Sequence, residues 1–179
     1  MSVARRLLGQ VLVSDIGGRR TTGRIVEVEA YVGPDDPASH AFRRRRTPRC
    51  EAMYGPPGRA YVYFTYGLHW CLNAVTERVD FPAAVLIRAL EPLEGIDTMR
   101  RRRGPVPDRA LCAGPARLCQ ALRITGKENG ASLQAGRLRI LRGPAGSRAR
   151  VVASPRIGVT TGADLPLRFY FADSPWVSR

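Results

Sequence analysis

Apolar and polar side chains alternate along residues 24–31, RIVEVEAY. One face of this segment is apolar and consists of Val26, Val28 and Ala30. The other face is mixed and consists of Ile25, Glu27, Glu29 and Tyr31. A period of two in a run rich in β-branched residues is typical of a strand, whose alternate residues lie about 6–7 Å apart on one face. The pattern therefore predicts a strand that holds carboxylates and an aromatic ring on the same face.

Residues 61–73, YVYFTYGLHWCLN, predict a β-hairpin. The turn falls at Thr65-Tyr66-Gly67, because glycine supplies the backbone geometry of a tight turn. The tip of a hairpin has little core around it, so we expect Tyr66 to be exposed. Two further strands are predicted, at residues 83–90, an apolar run that Arg88 interrupts, and at residues 167–171.

The sequence predicts fewer helices than strands. One helix is predicted to open at Gly114-Pro115 and to run to Leu122, since proline favours the first helical position. Helical patterns also cover residues 3–7 and 93–102. Strands mixed with few helices, without a strand–helix–strand rhythm, predict an α+β fold. A chain of 179 residues predicts one domain, residues 1–179.

The net charge limits the classes of partner that the protein is expected to bind. Lys and Arg number 29 against 15 Asp and Glu, so the net charge is +14, and the pI is about 11.0. A surplus of this size favours an anionic polymer or an anionic membrane surface. Apolar stretches are far too short to span a membrane, and residues 1–16 lack the apolar segment of a signal peptide. We expect a cytoplasmic protein, associated with the nucleoid in a bacterium.

Arginine supplies nearly all of this charge, since Lys127 is the only lysine. Arginine-rich stretches at residues 43–49, 100–103 and 137–150 lie beside glycine or proline, which predicts exposed loops or the ends of elements. They either contact phosphates or form solvated surface.

Metal and cofactor chemistry has little support in the sequence. The four cysteines form no C-x-x-C pair and have only two histidines to join them, so we expect reduced thiols and no zinc site. Phosphate-binding loops, zinc-protease motifs and nucleophile elbows are also missing from the sequence. We therefore expect no cofactor and no metal.

Several side chains nevertheless suggest chemistry. Glu29 and Tyr31 could form a pocket wall together with Glu27, or the face could be solvated. Arg88 within an apolar strand needs a carboxylate or a bound anion as a partner, unless it reaches solvent from the strand end. The aromatic rings of residues 61–70 suit stacking on nucleobases, or the packing of a hairpin core.

These same segments carry a family resemblance. Residues 23–31 followed by His40, residues 61–73, residues 86–95, residues 111–122 and residues 166–178 closely resemble, in order and spacing, the alkyladenine (3-methyladenine) DNA glycosylase family. The resemblance runs from about Leu7 to the last residues. It implies a curved, mostly antiparallel sheet with a hairpin that projects toward DNA and a few helices packed around it.

The resemblance also implies an activity. The expected enzyme is a monofunctional glycosylase of base excision repair, which acts as a monomer on double-stranded DNA. It flips a damaged purine of the 3-methyladenine, 7-methylguanine, hypoxanthine or ethenoadenine type out of the duplex. It then hydrolyses the N-glycosidic bond and leaves an abasic site.

Roles for individual residues follow from the same resemblance. Glu29 corresponds to the general base, and Arg88 and the backbone carbonyl of Ile157 to groups that help to hold the attacking water. Residues corresponding to the pocket walls are Tyr31, His40 and Tyr63. Asn73 corresponds to the residue that disfavours the 2-amino group of guanine, and Tyr66 to the intercalating residue. Contacts with the DNA backbone are implied for Arg49, Gly67, Leu68 and Arg117.

Some positions depart from the vertebrate pattern of the family. Cys50 stands in place of an asparagine, and His69-Trp70 in place of a tyrosine-phenylalanine pair. The loop between Val159 and Pro166 is shorter by about three residues. These differences bear on substrate range and binding strength.

Two alternatives compete with this interpretation. A non-catalytic RNA- or ribosome-binding protein would share the charge, although it would not need Glu29 and Arg88 in apolar strands. A bifunctional glycosylase would also nick the strand through a Schiff base, which requires an amine. Lys127 lies in the polar turn TGKENG, outside the motifs of the pocket, so we expect no such step.

Overall fold

A curled, antiparallel sheet with the shape of a half-barrel dominates the fold. The computed structural model describes residues 2–144 and 149–178, and in these ranges the sheet has eight strands. The strands are β1 (Val11–Ser14), β2 (Thr21–Tyr31), β3 (Ala60–Thr65), β4 (His69–Thr76), β5 (Ala83–Glu94), β6 (Leu138–Leu141), β7 (Val151–Ser154) and β8 (Arg168–Phe171). The α-helices are α1 (Ser2–Leu7), α2 (Ile96–Arg103) and α3 (Pro115–Leu122). The α+β prediction is therefore confirmed.

Strand β2 pairs with three other strands of the sheet, β1, β5 and β8. The strand order is β3-β4-β5-β2-β1-β6, and β8 pairs with both β2 and β7. The first part of β2 pairs with β1, its last part pairs with β8, and β5 accompanies it along most of its length. All these pairings are antiparallel. Any side chain near the middle of β2 is consequently surrounded by neighbouring strands and removed from water.

The main apolar core lies between the sheet and helix α3. Leu118 and Leu122 of this helix are fully buried against the cluster that contains Ile87 and Leu90 of β5. Burying each such side chain contributes about 1.5–3 kcal/mol. A smaller cluster around Met53 packs separately, near the hairpin of β3 and β4. The core thus holds β2 and β5 rigidly at the centre of the fold.

The predicted hairpin, the strand at residues 167–171 and the helix that opens at Gly114-Pro115 are all present. The helix predicted over residues 93–102 is wrong at its start. Strand β5 continues to Glu94, and α2 begins only at Ile96. Gly95 separates the two elements with a φ of 76°, which a strand residue does not adopt and which glycine permits.

The strict alternation predicted for β2 also fails at one point. The alternation predicts Ile25 on the face of Glu27, but Ile25 packs in the same apolar cluster as Val26 and Val28. The register between β2 and β5 shifts between Ile25 and Glu27, and an irregularity of this kind interrupts the period of two. The carboxylates therefore keep one face, while Ile25 joins the core.

No helix within the described ranges is long and apolar enough to cross a membrane. The cysteines are free and buried.

Candidate active site

A cavity of about 170 Å³ opens beside strands β2 to β5. Its lining includes the residues that the sequence predicts to contact the flipped base or to intercalate, namely Tyr31, His40, Tyr63, Asn73 and Tyr66. The rest of the lining comes from Ala38, Met53, Tyr61, Thr65, Ala84, Gly158 and Val159. Aromatic walls with a few polar groups suit a planar, heteroaromatic ligand.

The aromatic walls hold one another in place. The ring of His40 meets that of Tyr63 edge-on at 4.7 Å, and the rings of Tyr61 and Tyr63 are 5.3 Å apart. Nδ1 of His40 lies 2.7 Å from the hydroxyl of Tyr61. Burial lowers the pKa of His40, and the charges of Arg49 and Arg45 lower it further. Burial raises the pKa of Tyr61 and that of Tyr63. At neutral pH the imidazole is therefore neutral and both phenols keep their protons.

Glu29 lies behind the pocket wall with no exposed surface. Its Oε2 accepts a hydrogen bond from the hydroxyl of Tyr31 at 3.2 Å. Its Oε1 accepts one from the backbone N–H of Ile157 at 2.7 Å and lies 3.1 Å from Nη1 of Arg88. Burial and the charge of Glu29 raise the pKa of Tyr31, so its hydroxyl remains a donor. The solvated-face alternative for this strand is wrong.

Arg88 has the carboxylate partners that its position demanded. It is 7% exposed. Its Nε donates to Oε1 of Glu27 at 3.0 Å and its Nη2 donates to Oγ of Ser178 at 3.3 Å, while Nη1 faces Glu29. The contact between Arg88 and Glu29 is thus direct. The N–H of Ile157 on Glu29 is a further contact that the sequence does not reveal, because only the tertiary fold brings residue 157 to this strand.

A buried ion pair that sequence reasoning missed lies behind Tyr31, one of the residues that line the pocket. Nη1 and Nη2 of Arg156 donate to the carboxylate of Asp36 at 2.6 and 2.8 Å, and both side chains have no exposed surface. The guanidinium also lies 4.8 Å from the ring centroid of Tyr31. The pair ties the segment after β2 to the segment that carries Ile157. The two residues are 120 positions apart in the chain, so no local sequence pattern predicts that they pair.

The hairpin tip is exposed, as predicted. Tyr66 is 86% exposed and Leu68 is 72% exposed. Tyr66 and Gly67 both adopt left-handed backbone conformations, with φ of 52° and 65°, and the N–H of Leu68 closes the turn on the carbonyl of Thr65 at 3.1 Å. A left-handed tyrosine is strained, and strain of this kind is common at functional sites.

The first two arginine-rich stretches differ in what their side chains contact. In residues 100–103 the side chains bind within the protein, to carboxylates, to Thr98, to Gln120 or to backbone carbonyls. Arg43, Arg44 and Arg45 are exposed next to the pocket residue His40, and Arg49 lies 5.1 Å over the ring of Tyr63. Arg148, in the third stretch, lies outside the described residues.

Arg117 is not part of the pocket lining. It lies in the first turn of α3, exposed, with its Nη1 donating to the carbonyl of Ala113 at 3.2 Å. Lys127 is also exposed and outside the lining. Among the described residues, no cluster of His, Cys, Asp and Glu could hold a metal ion.

Comparison with known proteins gives a consistent result along the whole chain. A family model described as methylpurine-DNA glycosylase (MPG) matches residues 1–175. A protein of Carboxydothermus hydrogenoformans named "Putative 3-methyladenine DNA glycosylase" is 48% identical over 178 residues, which cover 99% of this chain and 92% of that protein. Proteins of the same name are 47% identical in Nitrosospira multiformis, with coverage of 100% and 89%, and 44% identical in Bacillus cereus, with coverage of 100% and 94%.

Proposed function

The chain belongs to the methylpurine-DNA glycosylase family, and on that premise we propose that it releases damaged purines by hydrolysis with a water molecule activated by Glu29. It is a DNA glycosylase, a hydrolase of N-glycosyl bonds that takes part in base excision repair. The alternative of a non-catalytic RNA-binding protein is therefore wrong. The substrates, the partner DNA structure and the residue roles below are proposals.

The position of Glu29 is the observation that carries the proposal. Within the described residues, Oε1 is engaged by Arg88 and by the N–H of Ile157, whereas Oε2 accepts only from the Tyr31 hydroxyl. Oε2 therefore has a free lone pair on the side of the pocket wall. A general base must lie within hydrogen-bonding reach of the proton that it takes, directly or through one water. Arg88 and the backbone carbonyl of Ile157 would also hold that water by hydrogen bonds.

The reaction balances with water as the only co-reactant. The bond between C1′ and the purine nitrogen breaks, and its electron pair leaves with the base. Glu29 takes a proton from the water as the oxygen bonds to the oxocarbenium-like C1′. An alkylated purine departs neutral because it was cationic when bound. A neutral purine such as hypoxanthine must gain a proton as it leaves.

The pocket suits the planar purines that the family acts on. Tyr31 and Tyr63 provide stacking surfaces, while neutral His40 presents Nε2 to the edge of a base because its Nδ1 is engaged by Tyr61. The Asn73 amide is fixed by donating to the carbonyl of Tyr61 at 3.0 Å. We propose that this fixed amide leaves no room for the 2-amino group of guanine. Substrates would be purines of the 3-methyladenine, 7-methylguanine, hypoxanthine or ethenoadenine type.

The DNA surface is proposed to surround the pocket mouth. Tyr66, exposed at the hairpin tip, would fill the gap left by the extruded base, and unstacking costs only a few kcal/mol, least at a damaged pair. Gly67 and Leu68 would approach the phosphates through their backbone, and Arg49 through its side chain. Arg117 would contact the backbone farther from the pocket. We propose that the enzyme acts as a monomer on duplex DNA.

Residues 1–179 would act as one glycosylase domain, since strands from residue 11 to residue 171 share the sheet. A DNA-bound repair enzyme of this kind would associate with the nucleoid in a bacterium.

The test is base release from a duplex oligonucleotide that contains one ethenoadenine or one hypoxanthine, read by alkaline cleavage under single-turnover conditions. Glu29→Gln should abolish release while binding of damaged DNA stays nearly intact, because the change removes the base and keeps the shape. Glu91→Gln is the matched control, since Glu91 lies on the neighbouring strand and also pairs with an arginine, Arg24. Release by Glu29→Gln within about tenfold of the wild type would contradict the proposal.

The same reaction tests whether the enzyme is monofunctional. Lys127 is exposed beside Glu128 and outside the pocket, so no lysine is placed to attack C1′. Borohydride present during turnover should trap no covalent adduct. A denaturant-resistant protein–DNA adduct would make this a bifunctional enzyme.

A further inference from the structure

The Glu27 side chain has a coordination that the reaction does not use. It has no exposed surface and does not line the pocket, in contrast to the predicted wall. Its Oε1 accepts from Nε of Arg88 at 3.0 Å, from Nε of Arg168 at 2.7 Å and from Oγ of Ser178 at 2.8 Å. Its Oε2 accepts from the backbone N–H of Ser178 at 2.6 Å. Three donors occupy Oε1, and the side chain lies outside the lining of the pocket where the water must bind, so we assign Glu27 the role of holding its neighbours.

Charge balance explains why this cluster is stable when buried. Two carboxylates, Glu27 and Glu29, face two guanidiniums, Arg88 and Arg168. Buried ions are tolerated when they are paired and when hydrogen bonds satisfy their remaining lone pairs and protons. Each carboxylate of this cluster therefore has a guanidinium nitrogen within 3.1 Å.

An irregularity of the sheet directs Arg88 into this cluster. Glu27 pairs with Ala89 and Val28 pairs with Ile87, so Arg88 is the extra residue on β5. An extra residue bends a strand and re-aims its side chain, and such irregularities are frequent next to active sites. The backbone thus brings the guanidinium to the carboxylate face, but it does not determine which of its nitrogens faces Glu29.

Ser178 limits which nitrogen of Arg88 can face Glu29. Its hydroxyl donates to Glu27 and accepts from Nη2 of Arg88 at 3.3 Å, and its backbone carbonyl accepts from Nη2 of Arg168 at 3.4 Å. The serine is 5% exposed and lies 151 residues from Glu27 in the chain. With Nε on Glu27 and Nη2 on the serine hydroxyl, only Nη1 of Arg88 is left to face Glu29.

We propose that Ser178 is a positioning residue for base release, which acts by fixing the orientation of the Arg88 guanidinium toward Glu29 and its water. This inference rests on the proposed function of Glu29 and Arg88. Small misalignments of a reacting group lower rates steeply while leaving binding unchanged. The serine would therefore affect the chemical step and not the affinity for DNA.

The first experiment compares Ser178→Ala, Ser178→Thr and a matched control, Ser174→Ala, which removes a hydroxyl from the same segment that bonds only to the N–H of Trp176. Ser178→Ala should lower the single-turnover rate of base release on the order of tenfold, since a hydrogen bond to a buried guanidinium is lost. Affinity for duplex DNA with a tetrahydrofuran abasic analogue should stay within about twofold. Ser178→Thr keeps the hydroxyl and should retain most of the rate, and Ser174→Ala should match the wild type.

Three results would overturn the proposal. The first is a Ser178→Ala rate within about twofold of wild type in an enzyme that Glu29→Gln inactivates. The second is an equal loss in Ser178→Thr, which would indicate packing and not the hydroxyl. The third is a loss that Ser174→Ala reproduces together with a matching fall in Tm.

A measurement without turnover separates this inference from the proposed function. The Nη–H signals of Arg88, assigned by their loss in Arg88→Lys, include the Nη2–H that donates to the hydroxyl of Ser178. This Nη2–H signal should exchange with solvent faster in Ser178→Ala than in the wild type or in Ser174→Ala. If the wild type releases no base, the function of Glu29 fails, while faster exchange would still support the orienting contact. Unchanged exchange would refute the contact even in an active enzyme.

Discussion

The buried pair of Asp36 and Arg156 allows a sharp test of how burial changes the strength of an ion pair. Asp36→Asn removes the charge and keeps nearly the same shape. The asparagine would turn one amide N–H₂ toward the guanidinium or toward the backbone N–H groups of Val32 and Ala38, which Asp36 now satisfies. Arg156, whose Nε has no hydrogen-bond partner among the residues that the structure describes, would remain buried and poorly compensated.

The expected loss in the free energy of unfolding follows from the burial of the two side chains. Both side chains have no exposed surface, and both guanidinium contacts to Asp36 are shorter than 3 Å, at 2.6 and 2.8 Å. Burial opposes ionisation of Asp36, yet hydrogen bonds from Arg156 and Ala38 hold the pKa of this carboxyl below its usual range. Breaking a buried pair by removing one partner costs about 3–5 kcal/mol. For a domain of this size that corresponds to a fall in Tm of about 6–20 °C.

A matched control is available on α2. Asp108 also accepts two hydrogen bonds from one guanidinium, from Nε and Nη2 of Arg100 at 2.9 and 2.6 Å, but these side chains are 45% and 50% exposed. Asp108→Asn should therefore cost only about 0–1 kcal/mol. The assay is urea unfolding at pH 7 with the slope m compared between variants, so that a change in midpoint can be attributed to stability.

The double variant Asp36→Leu with Arg156→Met completes the test. Replacing both ions with apolar side chains should recover most of the stability, because the pair offsets its own desolvation only in part. Equal losses for Asp36→Asn and Asp108→Asn, or a loss at Asp36 below about 1 kcal/mol, would refute the reasoning from burial.

Three further predictions concern DNA and pH. Tyr66→Ala should reduce extrusion of the damaged base more than phosphate contact, and unchanged fluorescence of a base analogue opposite the lesion would mean that Tyr66 only packs. Arg45→Gln should lower the slope of log K against log salt for undamaged duplex by about 0.9, whereas Arg101→Gln, whose side chain bonds Thr98, should leave it unchanged; equal slopes for both would contradict this assignment. Arg49→Gln should raise the pKa of His40 toward 6.5 in an NMR titration, because burial first and then this charge lower it; an unmoved midpoint would exclude the contact. Since the folded pKa of His40 lies below the unfolded value, its contribution to the free energy of unfolding is present above about pH 6.5 and is lost as the pH falls below it.

The hairpin shows how much a local pattern can predict. Alternating residues around Thr65-Tyr66-Gly67 located both strands, and the lack of core at a tip was enough to predict that Tyr66 is exposed. Arg88 is similar, since an arginine in an apolar run needs a partner unless it reaches solvent, and in the folded chain it is buried. Both inferences hold because they depend on burial and backbone preference, which neighbours in sequence determine.

The individual contacts of the site could not be predicted in this way. The pattern placed Glu27 and Glu29 on one face but could not distinguish the carboxylate bonded by Ser178 and Arg168 from the one bonded by the pocket residue Tyr31. That difference depends on Ser178 and Arg168, which reach the strand only through the fold. The roles of the residues came from the family resemblance and remain proposals at the level of individual side chains.

The sequence by itself determined the strands of the hairpin and of the sheet centre and the exposure of Tyr66, and it indicated that a buried Arg88 needs a partner. Tertiary structure alone decided the partners: the register shift that turns Arg88 toward Glu27, the pairing of Asp36 with Arg156 over 120 residues and the N–H of Ile157 on Glu29. The physical reason is the distance along the chain over which each effect acts. Hydrophobic periodicity and turn preference act over a few residues, whereas a buried charge is stabilised by whichever groups the folded chain brings within about 3 Å, and those groups can lie anywhere in the sequence.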